Sequence, residues 1–220
     1  MKLYNYFRSS ASYRVRIALN LKGLAYEYVP VHIAKGEHIK GDFAAISADS
    51  LVPLLEINGQ RLSQSMAIIE YLDELYPQVP LLPADALGKA QVRALAQSVA
   101  CEIHPLNNLR VLKYLTKELG ASDDAKNTWY RHWVRTGLEA FERQLEATQG
   151  KGPANTTASR YCFGSTPSLA DCCLVPQIFN AQRFKTNLDG LPRTMAAYEA
   201  CMALEAVQKA QPSSCPDFEP

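Results

Sequence analysis

The sequence predicts two parts, an α/β domain over residues 1–80 and an all-helical domain over residues 86–220. Three observations carry this prediction. Within the first eighty residues, short apolar runs and helical patterns follow one another in the order β-α-β-α-β-β-α. A proline-rich stretch over residues 76–83 then has the composition of a linker. Beyond it, the apolar residues recur at helical spacing and no convincing strand pattern is present.

The α/β domain begins with the apolar-aromatic run Leu3–Phe7, which predicts a buried strand, and continues into an amphipathic helix that Gly23 can end. The Asn58-Gly59 pair predicts a tight hairpin turn, since both residues accept the positive φ angles that such a turn needs. The remaining predicted elements are a strand over 26–33, a short irregular helix and loop over 34–50, a strand over 51–57 interrupted by Pro53, and a helix over 66–76 with Ser65 as its N-cap.

The all-helical domain is predicted to contain four helices followed by a loose tail. Ser168 to Asp171 has the pattern of a capping box, with aspartate in the acidic position. The predicted elements are one long helix over 86–118 bent at Pro105, a helix over 123–148, a polar loop over 150–160, a helix from the capping box to about 184, and a helix over 192–210.

Composition excludes several classes of function. The net charge is +1 and 47% of residues are hydrophobic, so the sequence favours neither a nucleic-acid partner nor a charged membrane surface. No leader-like or membrane-length apolar run is present. None of the six cysteines forms a C-x-x-C pair and the four histidines are scattered, which argues against a metal site. We expect a soluble, cytoplasmic protein whose cysteines are mainly buried free thiols.

The junction between the first strand and the first helix carries three hydroxyl side chains, those of Ser9, Ser10 and Ser12. The simpler interpretation is that they cap the free N–H groups of the helix. The other interpretation is an anion site, because those N–H groups and the helix dipole point in the same direction. The junction alone leaves both open.

The segment from Ser9 to Leu19 reads S-S-A-S-Y-R-V-R-I-A-L, and it resembles the pattern S-S-C-S-x-R-V-R-I-A-L of the zeta class of glutathione transferases. That class includes maleylacetoacetate and maleylpyruvate isomerases. The resemblance extends over essentially the whole chain. Further matching segments are Gln64-Ser65, Ala67–Leu72, Leu81–Pro83, Leu169–Asp171 and Leu174–Gln177. The fold that this resemblance implies is a thioredoxin-like N-terminal domain followed by an all-helical C-terminal domain.

Two departures from the pattern stand out. Ala11 replaces the cysteine of the class, which we interpret as tuning of the site, since glutathione brings its own sulfur. The segment 151–159 is longer than the family turn, and we have no functional account of it.

The resemblance implies glutathione as cofactor. The free thiol has a pKa of about 8.5 to 9, so a site must stabilise the thiolate at neutral pH. The hydroxyl of Ser9 or of Ser10 is expected to do so, and the sequence does not rank the two. The other implied glutathione contacts are Val52 before a cis Pro53, Gln64 and Ser65 at a second helix N-terminus, His38, and His104 with Asn108, which we expect one turn apart on one helix face.

Maleyl substrates are dianions, so their site needs cations, and arginine fits carboxylates best. Arg8 lies directly before the serines, and the resemblance adds Arg110 and Arg183. The alternative for each is a solvated surface arginine. Trp129 and Trp133 are expected to pack, and Arg14 and Arg16 are expected to make ion pairs or reach the domain interface.

The sequence thus predicts a glutathione-dependent maleylacetoacetate isomerase of aromatic amino-acid breakdown, active on a small dicarboxylate. The resemblance implies a homodimer. The open alternatives are a maleylpyruvate isomerase, a transferase acting on small α-halo acids, and a non-catalytic scaffold of the same fold. A thiol-disulfide oxidoreductase is disfavoured, because no cysteine lies at the start of the first helix.

Overall fold

The computed structural model describes residues 1–149 and 159–219. The expected insertion at 151–159 lies, apart from its last residue, outside the described residues. Contacts divide the chain into two compact units, one formed by residues 1–81 together with the residues from 202 onward, and the other by residues 82–201. In the described part of the chain, no helix has both the length and the apolar character needed to cross a bilayer.

The first unit contains a four-stranded mixed sheet in the order β2-β1-β3-β4. Its strands are β1 (Lys2–Asn5), β2 (Glu27–Pro30), β3 (Leu54–Ile57) and β4 (Gln60–Ser63). β2 runs parallel to β1, whereas β3 runs antiparallel to both β1 and β4. The predicted hairpin is confirmed, since Asn58 and Gly59 have φ angles of 50° and 74° between β3 and β4.

Three helices complete the β-α-β-α-β-β-α order predicted for this unit, namely α1 (Ser10–Leu21), α2 (Gly41–Ile46) and α3 (Ser65–Leu75). α1 packs against α3. Its central residues are almost wholly buried, including both of its arginines. Ser9, and not a residue inside the helix, is the N-cap of α1.

The C-terminal residues belong to the first unit, whereas the sequence analysis assigned them to the helical domain and expected a loose tail. The helix α9 (Glu205–Lys209) packs against α1, and the 3-10 helix Pro212–Ser214 follows it. Asn20 of α1 donates to the carbonyl of Ala206 over 3.0 Å. Cys215 is buried in an apolar cluster with Tyr6 and Phe7. The sequence of this C-terminal segment shows no hydrophobic periodicity. Its packing on the first unit is therefore visible only in the structure.

The second unit is helical, and its first predicted helix is broken. In place of one helix over 86–118 the structure has α4 (Ala86–Gln97), a π-helix over Ser98–Ile103, a 3-10 helix over Pro105–Asn107 and α5 (Leu109–Lys117). Pro105 lacks an N–H, and the Asn108 side chain caps the new helix by accepting the Arg110 N–H over 3.1 Å. These two local signals end one helix and start another.

The remaining helices of this unit are α6 (Asp123–Gln149), α7 (Leu169–Arg183) and α8 (Pro192–Met202). Gly137 of α6 allows the π-helix to approach closely, because a Cβ atom there would lie 2.3 Å from Ile103 Cγ1. The predicted capping box of α7 is confirmed, with Asp171 accepting both the N–H and the O–H of Ser168.

Candidate functional site

The loop between β1 and α1 presents Ser9 at the helix N-terminus. Ser9 has extended backbone angles, and its Oγ accepts the N–H of Ser12 over 3.2 Å. Its own hydroxyl hydrogen has no acceptor among residues 1–149 and 159–219. Ser12 is fully buried and its Oγ accepts the N–H of Tyr6 over 3.4 Å, so it braces the loop from inside. Ser9 is therefore placed to donate outward, while Ser12 is structural.

Ser10 is the first residue of α1 and is 7% exposed. Like Ser9 it lies at the positive end of the helix dipole. Ala11, the departure from the zeta pattern, is the second helical residue and is half-buried. The structure leaves Ser9 and Ser10 as the two hydroxyls that an anion at this helix end can meet.

The buried side chain of Arg16 holds the same loop in place, a role that its position in the sequence did not predict. Its guanidinium is 1% exposed and donates to the carbonyls of Tyr6 (3.3 Å), Phe7 (2.9 Å) and Ala210 (3.0 Å), and to Asn5 Oδ1 (2.9 Å). All four acceptors are uncharged, and Arg16 makes no ion pair with another described residue, which was one of its two expected roles. Such charge-assisted bonds contribute about 1.5–3 kcal/mol each and hold the loop rigid.

Arg8 lies in this loop with its charge available. Its Nε and Nη2 donate to the Tyr6 phenol oxygen over 3.3 and 3.1 Å, and its Cζ lies 4.9 Å from the centre of the Phe7 ring. It forms no ion pair with a carboxylate in the described part of the chain. A half-buried guanidinium directly before Ser9 can therefore receive an anionic ligand.

The N-terminus of α3 is a second polar end in this unit, and here the structure corrects one assignment. Gln64 is the N-cap, with φ of 68°, and Ser65 is the first helical residue. The Gln64 carbonyl accepts the Ile68 N–H over 3.0 Å, and its side chain reaches Asp49 at 3.4 Å. Ser65 is 5% exposed, so little of its side chain meets solvent.

Arg14 accounts for the environment of Ser65. The Arg14 side chain is 3% exposed, and its Nη1 donates to Ser65 Oγ over 3.2 Å. Its Nε and Nη2 are buried and have no hydrogen-bond partner within the described ranges. An uncompensated buried charge is costly, so a bound anion beside Ser65 would stabilise it. In Arg16, two residues away, each of the three guanidinium nitrogens donates at least one hydrogen bond, so the unpartnered nitrogens distinguish Arg14.

Val52 and Pro53 directly precede β3, an inner strand of the sheet, and lie outside its ladder. Their peptide bond is cis, as the resemblance implies. Neither the N–H nor the C=O of Val52 makes a backbone hydrogen bond with another described residue. An extended peptide can therefore pair with Val52 in the manner of an added strand. His38, the other predicted contact in this unit, is half-buried in the 3-10 helix Glu37–Ile39.

In the helical unit, His104 and Asn108 do not share one helix face as expected. The turn over Pro105–Asn107 separates them, and Asn108 Oδ1 is used as the cap of α5. Trp129 holds this turn by donating from Nε1 to the Leu106 carbonyl over 2.9 Å, and its ring meets Trp133 edge-on, as expected of packing residues.

The two predicted arginines of this unit are both exposed. Arg110 lies in the first turn of α5. Arg183 is the last residue of α7, where it lies 3.4 Å from Asn180 Oδ1 and 5.0 Å from the centre of the Phe184 ring. Burial raises the pKa of the Tyr130 phenol, which stacks on Phe184, and the charge of Arg183 opposes that rise.

The chain is similar to known proteins along its whole length. The family model for the glutathione S-transferase N-terminal domain matches residues 1–74. The maleylpyruvate isomerase of a Ralstonia species is 49% identical over 217 residues, which span 99% of both chains. The probable maleylacetoacetate isomerase of Vibrio cholerae is 45% identical over 98% of this chain and 97% of its own.

Solved structures are similar over the full length. The holo structure of a maleyl pyruvate isomerase, described as a bacterial glutathione S-transferase in the zeta class, matches with a TM-score of 0.92 at 49% identity, covering 100% of both chains. The maleylacetoacetate isomerase of Methylobacterium extorquens AM1, solved with bound malonate and glutathione, matches with a TM-score of 0.91 at 36% identity, again covering 100% of both chains.

Proposed function

This chain belongs to the zeta class of glutathione S-transferases, among the maleylpyruvate and maleylacetoacetate isomerases, and we propose that it converts maleylacetoacetate to fumarylacetoacetate. Glutathione supplies a thiolate that adds to the cis double bond, allows rotation about the resulting single bond, and leaves again. The observation that carries the proposal is the adjacency of Arg8 and Ser9. Among the described residues, Arg8 has no carboxylate partner and the Ser9 O–H has no acceptor.

The residues of the first unit fit glutathione at three places. The free N–H and C=O of Val52 suit the tripeptide backbone. The γ-glutamyl carboxylate would bind at the N-terminus of α3, beside Ser65 and the buried charge of Arg14. The Ser9 hydroxyl suits the sulfur. His38 and Gln64 are further proposed contacts, carried over from the zeta motif.

Ser9 would lower the pKa of the bound thiol by donating its hydroxyl hydrogen to the thiolate. A hydrogen bond to a charged group contributes about 1.5–3 kcal/mol. That is about one to two pKa units at about 1.4 kcal/mol per unit, enough to make the thiolate abundant at neutral pH. The α1 dipole acts in the same direction, and Ser10 stays the alternative donor.

Arg8 would bind a carboxylate of the substrate and hold the double bond against the sulfur. Its guanidinium is stiffened by the Tyr6 phenol and the Phe7 ring, so little side-chain entropy is lost on binding. Arg110 and Arg183 are proposed as further carboxylate ligands, and His104 with Asn108 as glutathione contacts. These four assignments come from the zeta resemblance, and the malonate bound in the Methylobacterium extorquens relative supports a dicarboxylate ligand.

We propose that residues 1–80, together with the C-terminal residues from 202 onward that pack on them, form the glutathione-binding part, and that the helices between residues 86 and 201 bind the substrate. The homodimer and the cytoplasmic location rest on the same family resemblance. Maleylpyruvate is the second candidate substrate, favoured by the 49% identity to the Ralstonia maleylpyruvate isomerase against 45% for the Vibrio cholerae relative.

The test is isomerase activity on both substrates with the purified protein, with and without glutathione. We expect glutathione-dependent turnover of maleylacetoacetate and its loss in an Arg8→Ala, Ser9→Ala double variant. A higher kcat/KM for maleylpyruvate would transfer the assignment to that substrate. Turnover of small α-halo acids in place of both would favour the transferase alternative, and glutathione binding with no turnover at all would favour the scaffold.

A further inference from the structure

The C-terminal segment after the 3-10 helix Pro212–Ser214 lies directly on the loop that carries Arg8 and Ser9. Asp217 Oδ2 accepts the backbone N–H of Phe7 over 3.3 Å. The other oxygen of the same carboxylate accepts the Tyr28 phenol O–H of β2. Asp217 thus joins the loop to the sheet from a position 210 residues further along the chain.

Neighbouring tail residues strengthen this contact. The Phe218 ring meets the Phe7 ring edge-on, with centroids 5.6 Å apart. Glu219 pairs with His32 at 3.1 Å and with Lys35 at 2.5 Å, and these bonds hold the pKa of Glu219 below its ordinary value. Among the described residues, Glu219 itself makes no bond to the loop, and its link there runs through His32, whose ring lies 4.8 Å from the Tyr6 ring.

Phe7 is held on both sides of its backbone. Asp217 accepts its N–H, and Arg16 donates to its carbonyl over 2.9 Å. The next two residues are Arg8 and Ser9, the proposed carboxylate ligand and thiolate donor. Any shift of the Phe7 peptide therefore moves both groups.

We propose that Asp217 is a positioning residue for the reaction, holding the Phe7 peptide so that Arg8 and Ser9 keep their productive places. The inference rests on the proposed function of that loop. The carboxylate gives a charge-assisted bond to a backbone N–H, which a neutral side chain matches only in part. Displacement of a reacting group by about 1 Å costs on the order of 100-fold in rate, so even a small relaxation of the loop is measurable.

The test compares Asp217→Ala with Asp217→Asn, and uses Glu219→Gln as the matched control in the same tail. The asparagine keeps an oxygen for the Phe7 N–H, whereas alanine removes it. The control loosens the contacts to His32 and Lys35 and leaves the loop bond intact. Thermal unfolding of all three variants reports folding. If alanine prevents folding, Asp217→Asn is compared with wild type alone, and its weaker bond to the Phe7 N–H should give a smaller change of the same sign in each readout, whereas no change in any readout would overturn the inference.

Three readouts are expected to change together in Asp217→Ala. Amide hydrogen exchange over residues 6–9, measured without glutathione, should accelerate at least tenfold. The pKa of the bound glutathione thiol, followed by thiolate absorbance, should rise, and kcat/KM should fall at least tenfold. Asp217→Asn should recover most of each change, and Glu219→Gln should match wild type in all three.

A loss of thermal stability in Asp217→Ala with exchange, thiol pKa and kcat/KM unchanged would overturn the inference. Equal changes in Glu219→Gln would also overturn it, because the effect would then belong to the whole tail. The exchange experiment needs neither glutathione nor substrate. Failure of wild-type isomerase activity would therefore count against the proposed function, while unchanged exchange in Asp217→Ala would count against the positioning role.

Discussion

Replacement of Ser9 separates its two roles, because one side chain both caps α1 and faces outward with its hydroxyl. The Oγ atom accepts the Ser12 N–H over 3.2 Å, and the hydroxyl hydrogen stays available for a thiolate. Alanine removes both functions. Glycine also removes the hydroxyl, but it is nearly as good as serine at a helix N-cap.

The two functions have different magnitudes. Loss of an N-cap serine to alanine costs about 1 kcal/mol of stability, and to glycine only a few tenths of a kcal/mol. Loss of a hydrogen bond to the thiolate costs about 1.5–3 kcal/mol of anion stabilisation, which raises the thiol pKa by about one to two units. A bound thiol with a pKa near ~7 is about half thiolate at pH 7, so this rise lowers the thiolate fraction by about 5- to 50-fold, and kcat/KM should fall with it.

The assay is a titration of the bound glutathione thiol by its thiolate absorbance, together with thermal unfolding of each variant. Ser9→Ala and Ser9→Gly should show the same rise in thiol pKa and different losses of stability. Ser10→Ala is the matched control, expected to leave the thiol pKa near wild type. If Ser10→Ala raises the pKa and both Ser9 variants leave it unchanged, Ser10 is the donor and our reasoning on Ser9 is refuted.

Three further predictions concern charged side chains. Arg8→Ala should raise KM for a dianionic substrate by about 10- to 100-fold, the equivalent of about 1.5–3 kcal/mol, while the glutathione Kd from calorimetry changes far less. Equal losses of affinity for substrate and for glutathione would place Arg8 in the tripeptide site. Arg14→Met should weaken the binding of glutathione by about tenfold and leave the binding of an analogue without the γ-glutamyl α-carboxylate unchanged. Equal weakening of both ligands would mean that Arg14 has only a packing role. The Lys35 and His32 bonds hold the pKa of Glu219 below its ordinary 4.5, so the stability advantage of wild type over Glu219→Gln should be present above about pH 4.5 and disappear as the pH falls through the lowered value. Unfolding curves from pH 3 to pH 7 check this, and an advantage that persists at the lowest pH would contradict it.

Features set by a few neighbouring residues were predictable. The hairpin at Asn58-Gly59 and the capping box at Ser168 follow from turn and cap preferences that act within about four residues. The β-α-β-α-β-β-α order follows in the same way from hydrophobic period. The zeta motif placed Ser9 at the start of α1, where the structure has it.

Helix boundaries were less predictable where two local signals compete. The pattern over 86–118 reads as one helix because its apolar spacing continues through Pro105, yet the asparagine at 108 provides a better cap for a new start. Ser65 has the composition of an N-cap, but the backbone at Gln64 turns first, and Ser65 becomes the first helical residue. In both cases two possible boundaries lie within a few residues of each other, and composition alone does not rank them.

The sequence by itself determined that a serine-lined helix start is preceded by Arg8 and followed by Arg14 and Arg16 within one short segment. It did not determine which of the three charges is available. The tertiary structure decides that, because Arg16 finds an acceptor at Ala210, 194 residues away, and donates from all three of its nitrogens, whereas two nitrogens of Arg14 have no partner in the described part of the chain. Hydrophobic period and capping are encoded locally, but the neutralisation of a buried charge depends on acceptors that only the folded chain brings within hydrogen-bond distance.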